Sequence, residues 1–485
     1  MNPMKTLLAI ANTLLVAGIL ALAFQTASPD ARSREEVDAE PSREFIRGDA
    51  NDDSAVDLSD AVSALGTLFL GNDEPACLAA ADSNDDGGFD IGDPIYLLNF
   101  LFRGGGAPPA PFPTPGEDPT PDLPCRDPVL APLPPVGSYG GPDRELSEVE
   151  SLQWRRGFEV FDRAFRVLDG LGPLFNGDSC RGCHLDPVVG GSGGLDVDVV
   201  RFAYADGQGV VSQLETGPAA SRHELPGFTH DEVHPDANII ETRQTPTLLG
   251  LGLIDRLPES VILANADPND DNADGVSGSA RFASDGRLGR FGHKAGVPSL
   301  TDFTADAMLN ELGITIDPVH SPFAGAADAD AVADPELSGG DFDDLAFFVS
   351  HLAPPPRAFP GDPVFAERTR KGAATFERIG CAKCHLPVLD GPDGPIAAYS
   401  DFLLHDVGDP ARRQVNEDGV GPREFRTAPL WGLRDTGPYL HDGSARLVSD
   451  AILFGHFGEG ATAKAAFQAL SFDDRSQLTE FLLSL

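Results

Sequence analysis

The sequence predicts a mainly α-helical protein built from several domains that are joined by long loops. A chain of 485 residues is too long for one ordinary hydrophobic core. Aromatic residues recur at helical spacing beside the most distinctive motifs, as where Trp154, Phe158 and Phe161 fall on one helix face. The 42 prolines and 53 glycines require much irregular connection between such helices.

The amino-terminal residues 1–27 predict an export signal. They contain one lysine, Lys5, followed by the apolar run 7–24 and then small residues. The run is just long enough to cross a bilayer, so an uncleaved membrane anchor is the alternative. We therefore expect the rest of the chain in the periplasm or at the cell surface.

The charge balance is strongly acidic. The 76 acidic and 35 basic residues give a formal net charge of −41. Such a surface repels nucleic acid and anionic lipid, and it favours cations and basic protein partners. No nucleic-acid partner is expected.

Two acidic segments repeat the same 12-residue pattern, 49–60 and 82–93. In both, side-chain oxygens fall at positions 1, 3, 5, 9 and 12, the spacing that wraps a short loop around Ca²⁺. The second copy supplies Gly87 at the sharp turn, whereas the first has Ser54, so the second site should be better formed. The predicted ligands are Asp49, Asn51, Asp53, Asp57 and Asp60 in the first loop, and Asp82, Asn84, Asp86, Asp90 and Asp93 in the second.

Each acidic loop is followed by a helical apolar pattern, at residues 61–69 and 95–102. This paired loop–helix arrangement, spanning residues 45–103, resembles dockerin modules. The resemblance implies a small EF-hand-type helical module that docks onto a cohesin-like partner. A calcium-stabilised spacer is the alternative. A linker rich in proline and glycine follows at 104–142.

Six cysteines are present, and four of them fall in two CxxCH motifs. The other two are Cys77 and Cys125. In an exported chain, two such cysteines most simply form one disulfide at the end of the amino-terminal module. Free thiols are the alternative.

The two CxxCH motifs predict two covalently attached c-type haems. Two thiols separated by two residues can add to the two vinyl groups of one porphyrin, and the following histidine then points at the iron. A zinc site or a dithiol redox pair would leave both histidines unexplained. The attachment residues are Cys180, Cys183 and His184 for the first haem, and Cys381, Cys384 and His385 for the second. We expect two cytochrome c-like helical haem domains, at 143–357 and 358–485, the first with long loops.

Several further segments carry a family resemblance, and together they run through residues 140–485. They are 245–254 (TPTLLGLGLI), 288–292 (LGRFG), 310–315 (NELGIT), 399–408 (YSDFLLHDVG), 426–433 (RTAPLWGL) and 438–444 (PYLHDGS). This region resembles the bacterial di-haem cytochrome c peroxidase superfamily, especially its di-haem oxidoreductase branch. The resemblance implies that the second haem collects electrons from a small donor protein such as a cytochrome c, and that peroxide is reduced at the first.

The same resemblance implies further site residues. Glu311 corresponds to an acid close to the distal face of the first haem, where it could move a proton between the two peroxide oxygens. His456 lies near the position of the second haem's sixth ligand, with His405 and His441 as alternatives. Candidate sixth ligands of the first haem are His223, His230, His234 and His293, and spacing does not choose among them.

Two positions depart from the family pattern. His293 stands where relatives usually have a tryptophan between the haems, and Asp302-Phe303 stands where a distal glutamine is expected. Two functions other than peroxide reduction therefore stay open. One is a pure electron carrier with both irons six-coordinate, and the other is oxidation of an organic or protein substrate through a high-valent haem.

Overall fold

The computed structural model describes residues 45–485 with short gaps. The gaps are 52–54, 71–74, 76, 117, 121–122, 124–132, 209–210, 213–218, 229–232, 326, 329, 359–360 and 418. The predicted export signal, Asp53, Cys125 and His230 therefore lie outside the described residues. Within the described part, no helix is both long and apolar enough to cross a membrane. The chain divides into two compact units, Met1–Ala131 and Pro132–Leu485.

The first unit contains three α-helices in its described part. They are α1 (Leu58–Leu70), α2 (Leu78–Ala81) and α3 (Gly92–Arg103). Helices α1 and α3 pack together, and Ala64 and Leu97 are buried. Gly104 ends α3 in the left-handed conformation, with φ of 71°. The two helices that the acidic repeats predict are thus present, each directly after its loop.

Arg47 connects the parts of the first unit. Its side chain is fully buried and donates to the carbonyl oxygens of Ala79 (3.0 Å) and Asp82 (3.2 Å). It also donates to Ala110 O (3.1 Å), and Phe45 pairs with Gly116. The early part of the predicted linker therefore packs against this unit. Cys77 is disulfide-bonded, as expected.

The second unit is mostly helical. Its α-helices are α4 (Glu148–Asp162), α5 (Cys180–Cys183), α6 (Leu251–Asp255), α7 (Glu259–Leu263), α8 (Leu300–Ala307), α9 (Gly339–Ser350), α10 (Pro363–Arg378), α11 (Val448–Gly455), α12 (Ala461–Ala469) and α13 (Phe472–Leu482). Helix α8 continues into a π-helix, Met308–Leu312. Short 3₁₀ turns lie at Val167–Asp169, Leu195–Val197, Cys381–Lys383 and Gly458–Gly460.

Two helix pairs have the same construction on either side of the predicted domain boundary at residue 357. Helix α4 packs on α9, and α10 packs on α13. A Cβ added at Gly157 would lie 2.0 Å from Asp344 O, and one at Gly372 would lie 2.1 Å from Gln477 O. Each crossing therefore requires a glycine, because the helix backbones approach too closely for a side chain.

Short antiparallel strands also occur in the second unit. They are β1 (Leu174–Phe175), β2 (Val199–Ala205), β3 (Val211–Ser212), β4 (His223–Glu224), β5 (Ile239–Arg243), β6 (Leu389–Gly391), β7 (Gly394–Ile396), β8 (Leu404–Asp406) and β9 (Glu424–Arg426). The largest sheet has the order β3-β2-β5, with Val199 opposite Arg243. The other pairs are β1–β4, β6–β7 and β8–β9. The predicted helical character is confirmed. The strands were not predicted, and their presence makes the fold mixed, although mostly helical.

Candidate functional site

The second unit encloses a cavity of about 1030 Å³, and both CxxCH motifs line it. Clefts for one small ligand measure roughly 300–1,000 Å³. The cavity lies just above that range, as expected for more than one ligand. All four CxxCH cysteines are free thiols.

The first motif forms the short helix α5. The Ser179 hydroxyl caps it by accepting a hydrogen bond from Gly182 N at 3.2 Å. His184 Nδ1 lies 3.1 Å from Gly191 O and donates to it. That bond fixes the ring and leaves Nε2 as the metal-binding nitrogen. The Phe161 ring lies 6.5 Å from the His184 ring.

The second motif repeats this arrangement. Its cysteines lie on a 3₁₀ turn that begins at Cys381, and His385 Nδ1 lies 2.9 Å from Tyr399 O. The Phe376 ring lies 6.5 Å from the His385 ring. Burial lowers the pKa values of both motif histidines, His184 and His385, to about 4. Each imidazole is therefore neutral, the state that can bind a metal ion.

His456 lies opposite His385. The two ring centres are 6.4 Å apart. Two metal–nitrogen bonds of about 2 Å each, together with the ring radii, place such centres roughly 6 Å apart. His456 Nδ1 lies 3.1 Å from Ala451 O, so its Nε2 is also left for a metal. The predicted ligand pair is thus brought together at ligand spacing.

His405 is engaged elsewhere. Its Nε2 lies 2.9 Å from Asp401 Oδ2, and its Nδ1 lies 2.8 Å from Glu459 Oε2. Burial acts to lower the pKa of His405, but the two carboxylates outweigh it and raise this pKa to about 12. Glu459 also accepts from Ser277 Oγ at 2.7 Å. The network therefore holds the segment that presents His456, and His405 has no nitrogen left for iron.

Glu311 lies on the π-helix and lines the same cavity as the first motif. Asn176 Nδ2 donates to its Oε2 at 2.7 Å. Burial raises the pKa of Glu311, and the charge of Asp306 raises it further, while the Asn176 hydrogen bond acts to lower it. A buried acid that lines the same cavity as a CxxCH motif is an arrangement that could support proton transfer.

Asp306 is a second acid on this wall of the cavity, and the sequence analysis missed it. Burial raises the pKa of Asp306 as well. The residue stands five positions before Glu311, and the π-helix, with its i→i+5 bonds, differs from the α-helical period used to read the sequence. An α-helical wheel therefore does not bring Asp306 and Glu311 together on one face.

The other predicted histidines are less suitable for the first iron. His223 is exposed on β4, with its ring 5.2 Å from the Phe175 ring. His234 Nδ1 accepts from Asp236 N at 3.2 Å. His293 lines the cavity, but its Nε2 lies 3.3 Å from Gln244 O. Among the described residues, none of these candidates makes a pair with His184 like that of His456 with His385.

Asp302 does not take the expected distal position. Its carboxylate accepts hydrogen bonds from Arg287 Nη1 at 2.7 Å and from the Ser321 hydroxyl at 2.6 Å. Its neighbour Phe303 lines the cavity instead. The distal wall at this point is therefore apolar.

The second acidic loop of the first unit turns sharply at Gly87 and is closed by carboxylates that accept backbone hydrogen bonds. Gly87 has φ of +83°, and its amide donates to Asp82 Oδ2 at 2.9 Å. Asp93 Oδ2 accepts from Asp90 N at 2.8 Å. Burial raises the pKa of Asp93 to about 7, and the charge of Asp82 adds to this. Asn84 Oδ1 is buried without a hydrogen-bond partner. An oxygen so placed suits a bound cation.

The first acidic loop has the same closing contact in its described part. Asp60 is fully buried. It accepts from Asp57 N at 2.8 Å and from Asn51 N at 3.3 Å. Asp49 is buried, while Asp53 lies outside the described residues. In the second loop, the carboxylate of Asp86 accepts a hydrogen bond from Gly88 N at 3.2 Å.

Comparison with known proteins identifies the family. A family model described as "Di-haem oxidoreductase, putative peroxidase" matches residues 227–485, more than half of the chain. The chain belongs to the di-haem oxidoreductase family. Membership implies two haems, and the CxxC pairs Cys180/Cys183 and Cys381/Cys384 are consistent with haem c.

This di-haem oxidoreductase is also similar to hydrazine synthase subunit gamma of Kuenenia stuttgartiensis. The two are 29% identical over 122 residues, which cover 19% of this chain and 34% of the relative. The match thus spans about a third of that relative's length. A solved structure, "Kuenenia stuttgartiensis Hydrazine Synthase Pressurized with 20 bar Xenon", aligns with a TM-score of 0.34 and 16% identity. It covers 73% of this chain and 96% of that one.

Proposed function

We propose that this di-haem oxidoreductase is an exported, peroxidase-like enzyme. A donor protein delivers electrons at the His385 site, and a small oxidant such as hydrogen peroxide is reduced at the His184 site. The observation that carries the proposal is the difference between the two sites. His385 faces a second imidazole at 6.4 Å, whereas the cavity at the His184 site is lined by the buried acid Glu311.

The residues present fit two haems. Each motif offers two free thiols and a neutral, buried histidine whose Nδ1 is bonded to a backbone carbonyl. The motif residues would hold the porphyrins, with His456 as sixth ligand at the second site. When bound, the haems supply electron storage and an iron that can accept an oxygen ligand at the first site.

Glu311 would move the proton that peroxide cleavage requires. Its Oε2 is held by Asn176, which leaves Oε1 to take a proton from the inner peroxide oxygen and return it to the outer one. The outer oxygen would then leave as water, and the inner oxygen would take up two protons and two electrons from the donor to form a second water. Phe303 and Phe291 line the cavity beside it and limit the access of bulk water.

The donor would be a small basic electron-transfer protein such as a cytochrome c. Its positive surface would be attracted by a chain of formal charge −41, which raises the rate of encounter. Export of the chain would place both proteins in the periplasm or at the cell surface, and a membrane anchor would follow only from an uncleaved signal.

For the first unit we propose two bound calcium ions and a cohesin-like partner. The buried, unpartnered oxygen of Asn84 and the raised pKa of Asp93 support the cations. The helices α1 and α3 expose large apolar side chains, which supports a docking surface. They are Leu58, Val62, Phe69, Ile95 and Phe102.

Peroxide turnover tests the proposal. The purified, partially reduced holoprotein is mixed with hydrogen peroxide and a reduced cytochrome c, and donor oxidation is followed by absorbance. Oxidation that depends on peroxide supports the enzyme. A chain that exchanges electrons with the donor but does not react with peroxide or bind cyanide would instead be an electron carrier.

A further inference from the structure

The guanidinium of Arg243 is buried without hydrogen bonds. The residue is 6% exposed, and its Nε, Nη1 and Nη2 all lack a hydrogen-bond partner. Within the described part of the chain, its one ion pair is with Glu241, at 3.3 Å from Nη2 to Oε1. An arginine stays charged when buried and carries five N–H donors, so leaving them unused is costly. A ligand that accepts hydrogen bonds is therefore expected here.

The fold directs this side chain into the cavity. Arg243 ends strand β5, in which Ile239, Glu241 and Arg243 are buried and alternate with the exposed Ile240 and Thr242. Arg243 lines the same cavity as both CxxCH motifs. Its guanidinium also lies 5.7 Å from the Phe425 ring, which comes from the second haem region.

Several other arginines share the cavity wall with Arg243. Arg201, Arg281 and Arg426 line the cavity with it. Arg201 and Arg281 both pair with Glu417, at 3.0 and 3.1 Å. Arg426 donates to backbone carbonyls, Gly292 O at 3.0 Å and Thr427 O at 3.2 Å. Arg201, Arg281 and Arg426 thus have partners within the chain, whereas the Arg243 nitrogens have no hydrogen-bond partner among the described residues.

Glu241 does not meet this need. Its carboxylate is already shared with His441, 3.1 Å from Nε2, and with the amide of Val415, at 2.8 Å. The contact between Glu241 and Arg243 does not have hydrogen-bond geometry, because the Arg243 nitrogens have no hydrogen-bond partner among the described residues. Glu241 therefore offsets part of the charge and leaves the donors of Arg243 free for another acceptor.

We propose that Arg243 binds a propionate carboxylate of a haem in the shared cavity, with Arg201 and Arg426 flanking it, and so holds the porphyrin and sets its reduction potential. The assignment rests on the proposed function, because two haems must be present. Planar guanidinium and carboxylate groups match as a two-point pair. A diffusible carboxylate offers the same chemistry, and the test separates the two sources.

The test measures haem reduction potentials. Arg243→Gln removes the charge and keeps much of the side-chain length, while Arg243→Lys keeps the charge. The matched control is Arg370→Gln on the exposed face of α10. Loss of a nearby cation disfavours the reduced haem. We expect R243Q to shift the reduction equilibrium of one haem at least tenfold towards the oxidised form, about 59 mV for one electron. R243K should keep the reduction potential close to that of the wild type, and R370Q should leave it unchanged.

The outcomes are distinguishable. Fewer than two haems by pyridine haemochrome in the wild type would contradict the proposed function itself. Two haems with R243Q potentials equal to those of R370Q would overturn the Arg243 assignment alone. A wild-type reduction potential that changes when acetate is added would also overturn the Arg243 assignment. A propionate is part of the haem, so its binding to Arg243 does not depend on the concentration of free carboxylate.

A second variant keeps the assignment testable if R243Q does not fold. In Glu241→Gln the propionate would still hold Arg243, so we expect two haems, an unchanged melting temperature and a raised potential. If Glu241 were instead the true counter-ion, E241Q would leave a buried charge unpaired. Loss of folded holoprotein in E241Q would then overturn the assignment.

Discussion

At the residue scale, the proposed chemistry depends on the buried carboxylate of Glu311. Replacing Glu311 with Gln keeps an acceptor for Asn176 Nδ2 but cannot carry the proton. We expect E311Q to lose peroxide turnover by about 10²–10⁴-fold, the usual contribution of a positioned acid–base group. Steady-state kinetics with equal haem content measures it. Turnover within a few-fold of wild type would contradict the role.

The pH dependence of peroxide turnover depends on Asp306, the acid whose charge raises the pKa of Glu311. Glu311 must be ionised to accept a proton, and burial together with Asp306 raises its pKa above the ordinary 4.5. Arg222 and Arg201 act in the opposite direction. Turnover should therefore fall as pH drops through this raised pKa. In Asp306→Asn one source of the increase is gone, so the fall should move to lower pH. An unmoved pH profile would contradict this coupling.

His456 is the residue on which the second site depends. Under the proposed function, His456→Ala removes the ring 6.4 Å from His385 and with it the sixth ligand of the second haem. We expect the ferric absorption spectrum to change from low-spin to high-spin for one of the two haems, with haem content unchanged. His320→Gln is the control, because this histidine lies beside Phe342 rather than in the cavity. An unaltered H456A spectrum would exclude His456 as ligand.

The two motif histidines could be named as candidates from the sequence, because the CxxCH spacing is local, and so could His456, from the family resemblance. Arg243 and Asp306 could not. Arg243 stands in an ordinary five-residue strand, and its importance depends on the absence of hydrogen-bond partners in the folded chain. Whether His405 could bind iron also required the structure, since Asp401 and Glu459 occupy both of its nitrogens.

At the element scale, the second unit depends on two helix crossings made close by glycine. Alanine is favoured over glycine within a helix by about 1 kcal/mol, but a Cβ at Gly157 would meet Asp344 O at 2.0 Å. We expect Gly157→Ala to destabilise the fold by roughly 1–3 kcal/mol. On the partner helix α9, a Cβ at Gly340 meets only Ser338 Oγ, at 3.9 Å. Gly340→Ala should therefore be neutral or stabilising in the same thermal unfolding assay, and equal losses in both variants would contradict the packing argument.

Calcium binding by the second acidic loop has a predictable pH dependence. The folded, metal-free loop holds the pKa of Asp93 at about 7 against 3.8 ordinarily, so its stability falls as pH rises between these values. Calcium would offset this cost by neutralising Asp82 and Asp93. Calorimetry should therefore show a larger calcium-induced rise in melting temperature at about pH 8 than at about pH 5. Equal rises at both pH values, or no rise, would contradict a calcium site.

Helices were predicted better than strands. Trp154, Phe158 and Phe161 recur at α-helical spacing, and helix α4 (Glu148–Asp162) lies there. The strand pairs β6–β7 and β8–β9 have only three residues per strand, too short for an alternation to be recognised. The π-helix at Met308–Leu312 has no signature in an α-helical pattern, although it carries Glu311.

At the scale of the whole molecule, charge is distributed unevenly. The chain has a formal charge of −41, yet the cavity is lined by several arginines, among them Arg201, Arg243 and Arg426. An acidic exterior would attract a basic donor, while cavity arginines such as Arg243 suit acidic porphyrin side chains. The acidic charge of the chain could be predicted from its composition. The arginines of the cavity could not, because they depend on which cations the fold brings together.

One measurement tests the central claim most directly: the ferric spectrum of the holoprotein before and after cyanide, combined with a pyridine haemochrome count. Two haems per chain are expected, one of them low-spin and indifferent to cyanide, the other altered by it. A single haem, or two that both ignore cyanide, would contradict an enzyme with one closed and one open iron.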